Sequence, residues 1–150
     1  MREVLPNRLY IGNAMDARDV RLLFERQISA VVDLALNETP AQLSHEMVYC
    51  RVPITDGDEN SDVVIETAFR TIILLLEFDF RILVACSAGM SRSPAIAAAA
   101  IALFTNCHPK DCLLTIMKES SHDVSPALWE SVLAVYNQMV GNQTTGTKNV

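Results

Sequence analysis

Cys86 and Arg92 stand six residues apart in the run Ala85-Cys86-Ser87-Ala88-Gly89-Met90-Ser91-Arg92-Ser93-Pro94. A thiol and a guanidinium thus bracket a stretch of small residues. Ahead of it, Arg81 to Ala85 is a short apolar run of strand length, and behind it Arg92 to Phe104 is rich in Ala, Ile and Leu and reads as a buried helix. A strand that turns through small residues into a helix is a geometry for capturing anions. Successive backbone N–H groups can point inward, and the helix adds unpaired amides and the positive end of its dipole. Gly89 supplies a backbone conformation that a side chain would hinder. The same field favours the thiolate of Cys86, which is the nucleophilic form. Arg92 presents paired donors that match two non-bridging phosphoryl oxygens, and these carry the charge of the transition state. Lysine would lack that fork. The chemistry expected is attack by Cys86 on a phosphoryl group cradled by Ser87, Ala88, Gly89, Met90, Ser91 and Arg92.

Such a displacement needs a proton donor for the leaving oxygen, and a carboxylic acid on a mobile loop is the usual solution. Asp56 is the choice here, because it follows an expected strand and has Gly57 beside it for loop motion. Asp58 and Asp62 are rivals within the acidic stretch Thr55-Asp56-Gly57-Asp58-Glu59-Asn60-Ser61-Asp62. Asp62 could instead cap the next helix, and all three could be solvated turn residues.

The elements that must position these groups follow from hydrophobic pattern. Arg8 to Ile11 reads as a short strand ending at the turn pair Gly12-Asn13, and Asp16 to Gln27 as a helix with Val20, Leu23 and Phe24 on one face and Asp16 as its cap. Ile28 to Ala35 and Met47 to Ile54 read as buried strands, joined by a surface connection over Leu36 to Glu46 with one helical turn at most. Asp62 to Phe78 is a long helix, and Pro109 to Glu119 and Pro126 to Val140 are helices with Pro at the first position. Strands and helices alternate, which predicts one α/β domain: a central, mostly parallel sheet of about four to five strands with helices on both faces. The domain is expected over residues 1–140 and a flexible tail over residues 141–150.

The chain has 150 residues, half of them apolar and a fifth charged, which suits one globular domain. A net charge of −6 argues against general affinity for nucleic acid or anionic membrane. The longest apolar runs, Ile72 to Leu76 and Pro94 to Phe104, fall short of a membrane span. Four cysteines and no apolar leader point to the cytoplasm, with thiols reduced. His108 between Cys107 and Cys112 invites a metal reading, but the spacing fits none of the usual zinc frameworks, so a loop between helices is expected. Cys50 is expected in the core, with a protective Cys50–Cys86 disulfide as the alternative. His45 and His122 are expected on surface loops, and Trp129 and Tyr136 in the core.

The loop resembles that of the dual-specificity branch of the protein tyrosine phosphatase family, whose pattern is His-Cys-five residues-Arg-Ser/Thr. The resemblance extends over roughly residues 4 to 140. Leu9-Tyr10-Ile11-Gly12-Asn13 is similar to the family's opening strand, and Ser125-Pro126 ahead of Leu128-Trp129 resembles the start of its last helix. It implies a metal-free, two-step reaction through a phosphocysteine, with Asp56 at about the family acid's distance from Cys86 and with Ser93 steadying the departing thiolate. One position departs from the pattern. Ala85 stands where the family places a histidine that organises the loop, and its absence is expected to weaken catalysis or loosen the loop.

The sequence therefore predicts a protein phosphatase acting on phosphotyrosine and phosphoserine/threonine. No inserted segment builds a deep phosphotyrosine pocket, and the neutral Ser87, Ala88, Met90 and Ser91 disfavour phosphoinositide, RNA 5′-phosphate or phosphoglucan substrates. The competing class is a catalytically silent phosphoresidue-binding module, which Ala85 favours and Cys86, Arg92 and Asp56 oppose. Arsenate reductase chemistry is disfavoured because the loop lies far from the N-terminus.

Overall fold

A computed structural model describes residues 1–118 and 123–146. In chain order the elements are β1 (Arg2–Leu5), β2 (Leu9–Asn13), α1 (Ala14–Arg18), α2 (Val20–Glu25), β3 (Ala30–Ala35), β4 (Val48–Ile54), α3 (Asp62–Glu77), β5 (Ile82–Cys86), α4 (Arg92–Thr105), α5 (Pro109–Met117) and α6 (Pro126–Gly146). The five strands form one sheet in the order β1-β2-β5-β3-β4. Only β1 runs antiparallel, against β2. The other neighbours are parallel, so β2, β3, β4 and β5 all finish at the same edge of the sheet, with β5 at the centre. This is the expected mostly parallel α/β sheet, and loops after parallel strands are where such folds place ligands.

Alternation along the strands divides the core in two. Ile82, Val84 and Cys86 of β5 and Val32 and Leu34 of β3 join the larger cluster under α3, α4, α5 and α6. Leu83, Ala85, Val31 and Tyr10 face the other way, onto Ala17 of α1 and Leu23 of α2. Helices thus cover both faces. Helix α4 is buried from Arg92 to Ala102. Its small side chains at 95 and 97–100 let it lie close to the sheet, while α3, α5 and α6 all pack against it. Fully buried side chains such as Phe69, Leu83 and Ile96 each contribute about 1.5–3 kcal/mol of transfer free energy.

Local chemistry moved several boundaries. The helix expected over Asp16 to Gln27 is two helices, because Asp19 ends α1 and caps α2, accepting the Leu22 N–H with its side chain. The cap of α1 is Asn13, and Asp16 is the reciprocal member of a capping box, accepting the Asn13 N–H at 2.9 Å. Of the expected apolar face only Leu23 is buried; Phe24 is 82% exposed. The connection from Leu36 to Glu46 contains no helical turn. It is anchored by buried Asp33, which accepts from Ala35 N–H and from the Tyr49 hydroxyl, and by Arg51, which donates to the carbonyls of Ala35, Leu36 and Glu38. Burial, then the bond to Asp33, pushes the Tyr49 hydroxyl above its ordinary value. Strand β1 precedes the first strand expected from the sequence and pairs antiparallel with it.

At the other end α6 continues to Gly146, beyond the boundary expected at 140, while residues 147–150 and His122 lie outside the described residues. Among the described residues no helix is long and apolar enough to cross a membrane.

Candidate active site

The ends of three parallel strands meet at one cleft. Cys86 closes β5, the acidic stretch follows Ile54 of β4, and Gly12 and Asn13 end β2 beside Ala85 and Cys86. The cleft is lined by Asp56, Cys86, Ala88, Met90, Ser91, Arg92 and Asp123. Cys86 is 1% exposed, and its Sγ accepts the Gly89 N–H at 3.2 Å, so the loop curls back over the sulfur. Gly89 has φ +74°, and a Cβ there would sit 2.9 Å from the Gly12 carbonyl carbon and oxygen. Replacing Gly89 by Ala is expected to destabilise the fold by about 2–4 kcal/mol, from left-handed strain and a backbone clash. The measurement is the urea midpoint, and an unchanged midpoint refutes the close approach.

Arg92, 9% exposed, donates from Nη1 to the Ile54 carbonyl at 3.1 Å. Its Nε is buried with no protein partner among the described residues. A buried donor without a partner normally costs stability, so its persistence in a cleft points to an anionic ligand. Ser93 is fully buried, and its hydroxyl donates to the Gly12 carbonyl at 3.2 Å. That bond ties the loop to β2; a role toward the thiolate requires the hydroxyl to exchange partners.

Asp56 is the carboxylate of the acidic stretch that reaches the cleft, where its Oδ1 accepts the Ser91 hydroxyl. The rivals lie elsewhere: Asp58 is exposed and absent from the lining, and Asp62 opens α3 with Oδ2 accepting from Gln138 at 3.1 Å. Asn60 braces the loop, accepting the Thr55 N–H at 2.8 Å and donating to the carbonyls of Thr55 and Gly57. Sequence reading missed Asn60, since an Asn in a polar turn carries no distinguishing signal. It also missed Asp123, which lies 31 residues beyond Arg92 and reaches the cleft through its backbone N–H on the Met90 carbonyl. Ser91 links these segments, as its Oγ also accepts the Ser125 N–H at 3.0 Å.

Ala85 is fully buried on the opposite face from Cys86, level with Asp33 of β3. Loop support comes instead from β2 and α1: Ala14 N–H donates to the Ser87 carbonyl at 3.3 Å, alongside the Ser93 bond and the Gly89 contact with Gly12. The Cys50–Cys86 disulfide is not formed, and both cysteines are free. Cys50 pairs with Val32, which is level with Val84, so it lies two strands across and two residues back from Cys86. That is about 11–12 Å between Cα atoms, beyond the roughly 7 Å a disulfide spans. Among the described residues no group of three or more metal-ligating side chains occurs. His108 caps α5, its Nδ1 accepting the Lys110 N–H at 3.2 Å. Trp129 and Tyr136 pack against the core as expected.

A family model described as a DSP-PTPase phosphatase of polymorphic toxin systems matches residues 8–105, more than half of the chain. Human dual specificity protein phosphatase 15 is 32% identical over 117 residues; the match covers 75% of this chain and 38% of that protein. The chain thus spans well under half the length of that relative. The crystal structure of human DUSP28 superposes with a TM-score of 0.83 at 17% identity, covering 95% of this chain and 99% of that one. The human tyrosine phosphatase-like serine/threonine/tyrosine-interacting protein superposes with a TM-score of 0.80 at 18% identity, covering 93% and 97%. At these identities the two structures speak to the fold alone. The family match spans the strand and helix on either side of the loop and takes in both Cys86 and Arg92, and on that ground the chain belongs to the dual-specificity phosphatase family.

Proposed function

We propose that this protein hydrolyses phosphotyrosine and phosphoserine/threonine esters on protein substrates through a phosphocysteine at Cys86. The observation that carries the reading is the buried, partnerless Nε of Arg92 in the same cleft as Cys86 and Asp56. In the first step the Cys86 Sγ attacks phosphorus, an S–P bond forms, and the P–O bond to the substrate breaks. Asp56 gives its proton to the leaving oxygen. In the second step water attacks phosphorus while the Asp56 carboxylate takes a proton from it. The S–P bond then breaks, releasing inorganic phosphate and the thiolate. Arg92 and the loop amides other than that of Gly89, which is bonded to the Cys86 sulfur, hold the equatorial oxygens throughout. The Ser93 hydroxyl can turn from Gly12 to the sulfur as the thiolate departs.

The same assignment predicts an asymmetric effect of Asp56→Asn. With an alkyl phosphate such as phosphoserine peptide, kcat falls about 10²–10³-fold, because an alkoxide leaves poorly without a proton. With an activated aryl phosphate the first step needs no acid, so the loss moves to phosphocysteine hydrolysis. Acid-quenched protein then carries a phosphate adduct that mass spectrometry places on Cys86. Equal losses on both substrates with no adduct would remove Asp56 from this role.

A second reading, a silent phosphoresidue-binding module, is favoured by Ala85 alone. It predicts phosphopeptide binding with no release of phosphate from any peptide or aryl ester.

A further inference from the structure

Asp123, an exposed acidic residue, lines the same cleft as Asp56. Its backbone N–H is bonded at 3.1 Å to the carbonyl of Met90, whose side chain is 41% exposed. Asp123 therefore stands at the same rim as Met90, on the side where the Ser91 Oγ bonds both Asp56 and the Ser125 N–H. Among the described residues Arg92 is the one basic side chain lining the cleft, and it lies at the buried floor. The described ion pairs do not include Asp123. The floor is thus cationic and the rim anionic. A bound phosphoryl group is drawn to Arg92, while whatever flanks it outside the floor meets a negative field.

From this we propose that Asp123 determines specificity, selecting phosphorylated peptide segments in which a basic residue flanks the phosphoresidue. The proposal deepens the phosphatase reading and rests on it. Arg92 leaves a donor for an anion at this cleft, because its buried Nε lacks a partner among the described residues. Asp123 adds what that ligand carries beside its phosphate. A flanking Lys or Arg gains an opposite charge at the rim, and a flanking Glu or a second phosphate meets a like charge. Met90 offers the apolar body of either side chain a surface that does not discriminate.

The test compares two phosphotyrosine peptides that differ only at the residue beside phosphotyrosine, Arg in one and Glu in the other. For the unaltered protein kcat/KM is expected to favour the Arg peptide by about tenfold at low salt, mostly through KM. Asp123→Asn brings the ratio near one, Asp123→Lys inverts it, and Asp123→Glu restores it. A role limited to loop structure would change both peptides together and leave the ratio intact, and that outcome overturns the proposal. So does a ratio near one in the unaltered protein. Binding of the same peptides to Cys86→Ser, read by calorimetry, separates the two layers. An Asp123-dependent preference in binding, with no turnover by the unaltered protein, upholds the proposal and defeats the phosphatase reading. Turnover without an Asp123-dependent preference does the reverse.

Discussion

Replacing Cys86 by serine is expected to lower kcat by roughly 10⁴-fold or more, with phosphopeptide affinity retained. The exchange removes the nucleophile and little else. Cys86 is buried at the end of β5, and the Gly89 N–H that donates to its sulfur keeps an acceptor in the serine hydroxyl. The loop therefore keeps its shape, and the urea midpoint should move little. A serine hydroxyl is almost wholly protonated at neutral pH, and the Asp56 carboxylate is engaged by the Ser91 hydroxyl instead of by residue 86. Phosphate still meets Arg92 and the loop amides, so calorimetry with a phosphopeptide should return a dissociation constant within a few-fold of the unreacted protein's. Residual turnover above a tenth of normal would mean that another group attacks phosphorus and that Cys86 is a core residue under a tight turn.

The part of this site legible in sequence was the part built from contiguous residues. The loop from Ala85 to Pro94 announces itself because strand, turn and helix follow one another without interruption, so local pattern suffices. The sheet was legible for the same reason: buried parallel strands are short branched apolar runs, as in Ala30–Ala35 and Ile82–Cys86. What stayed hidden depends on contacts between segments distant in the chain. Asp123 reaches the cleft because α6, which it precedes, packs on α4, and its N–H bonds the Met90 carbonyl. The hydroxyl that Asp56 accepts belongs to Ser91, 35 residues away, a contact that the acidic stretch itself does not announce. Asp19 divides the helix expected over Asp16 to Gln27 by a side-chain bond to Leu22 that competes with helix continuation, a contest that apolar spacing cannot register.

Ala85 takes on a different meaning once its surroundings are known. It belongs to the smaller core beside Ala17, Leu23 and Tyr10, on the face away from the cleft. A histidine here would act on the loop from beneath the sheet. This chain supports the loop from the side instead, through Ser93 to Gly12, Ala14 to Ser87, and Gly89 against Gly12. Because Gly12 and Asn13 also start the capping box of α1, the loop is tied to a helix end already fixed by three side-chain hydrogen bonds. The loop thus has support from β2 and α1 without a histidine at position 85.

Arg92 separates shape from charge most sharply. Its guanidinium has two parts: Nη1 holds the Ile54 carbonyl at the base of the acidic loop, and Nε is buried without a protein partner among the described residues. Lysine can serve one task at a time, since a single ammonium on a flexible stem cannot bridge a carbonyl and two phosphoryl oxygens in a fixed plane. Arg92→Lys is thus expected to cut kcat/KM by about 10³-fold, chiefly in kcat, because charge on the equatorial oxygens grows toward the transition state. Arg92→Ala loses about 10⁴-fold, and it also leaves the Ile54 carbonyl without its donor at a cost of about 1–3 kcal/mol in stability. Steady-state kinetics beside urea unfolding distinguish the contributions. The lysine variant should be nearly as stable as the parent and far slower, whereas the alanine variant is both slow and less stable. If Arg92→Lys raises KM while leaving kcat intact, the guanidinium serves ground-state binding alone, and the transition-state role given to its fork is wrong.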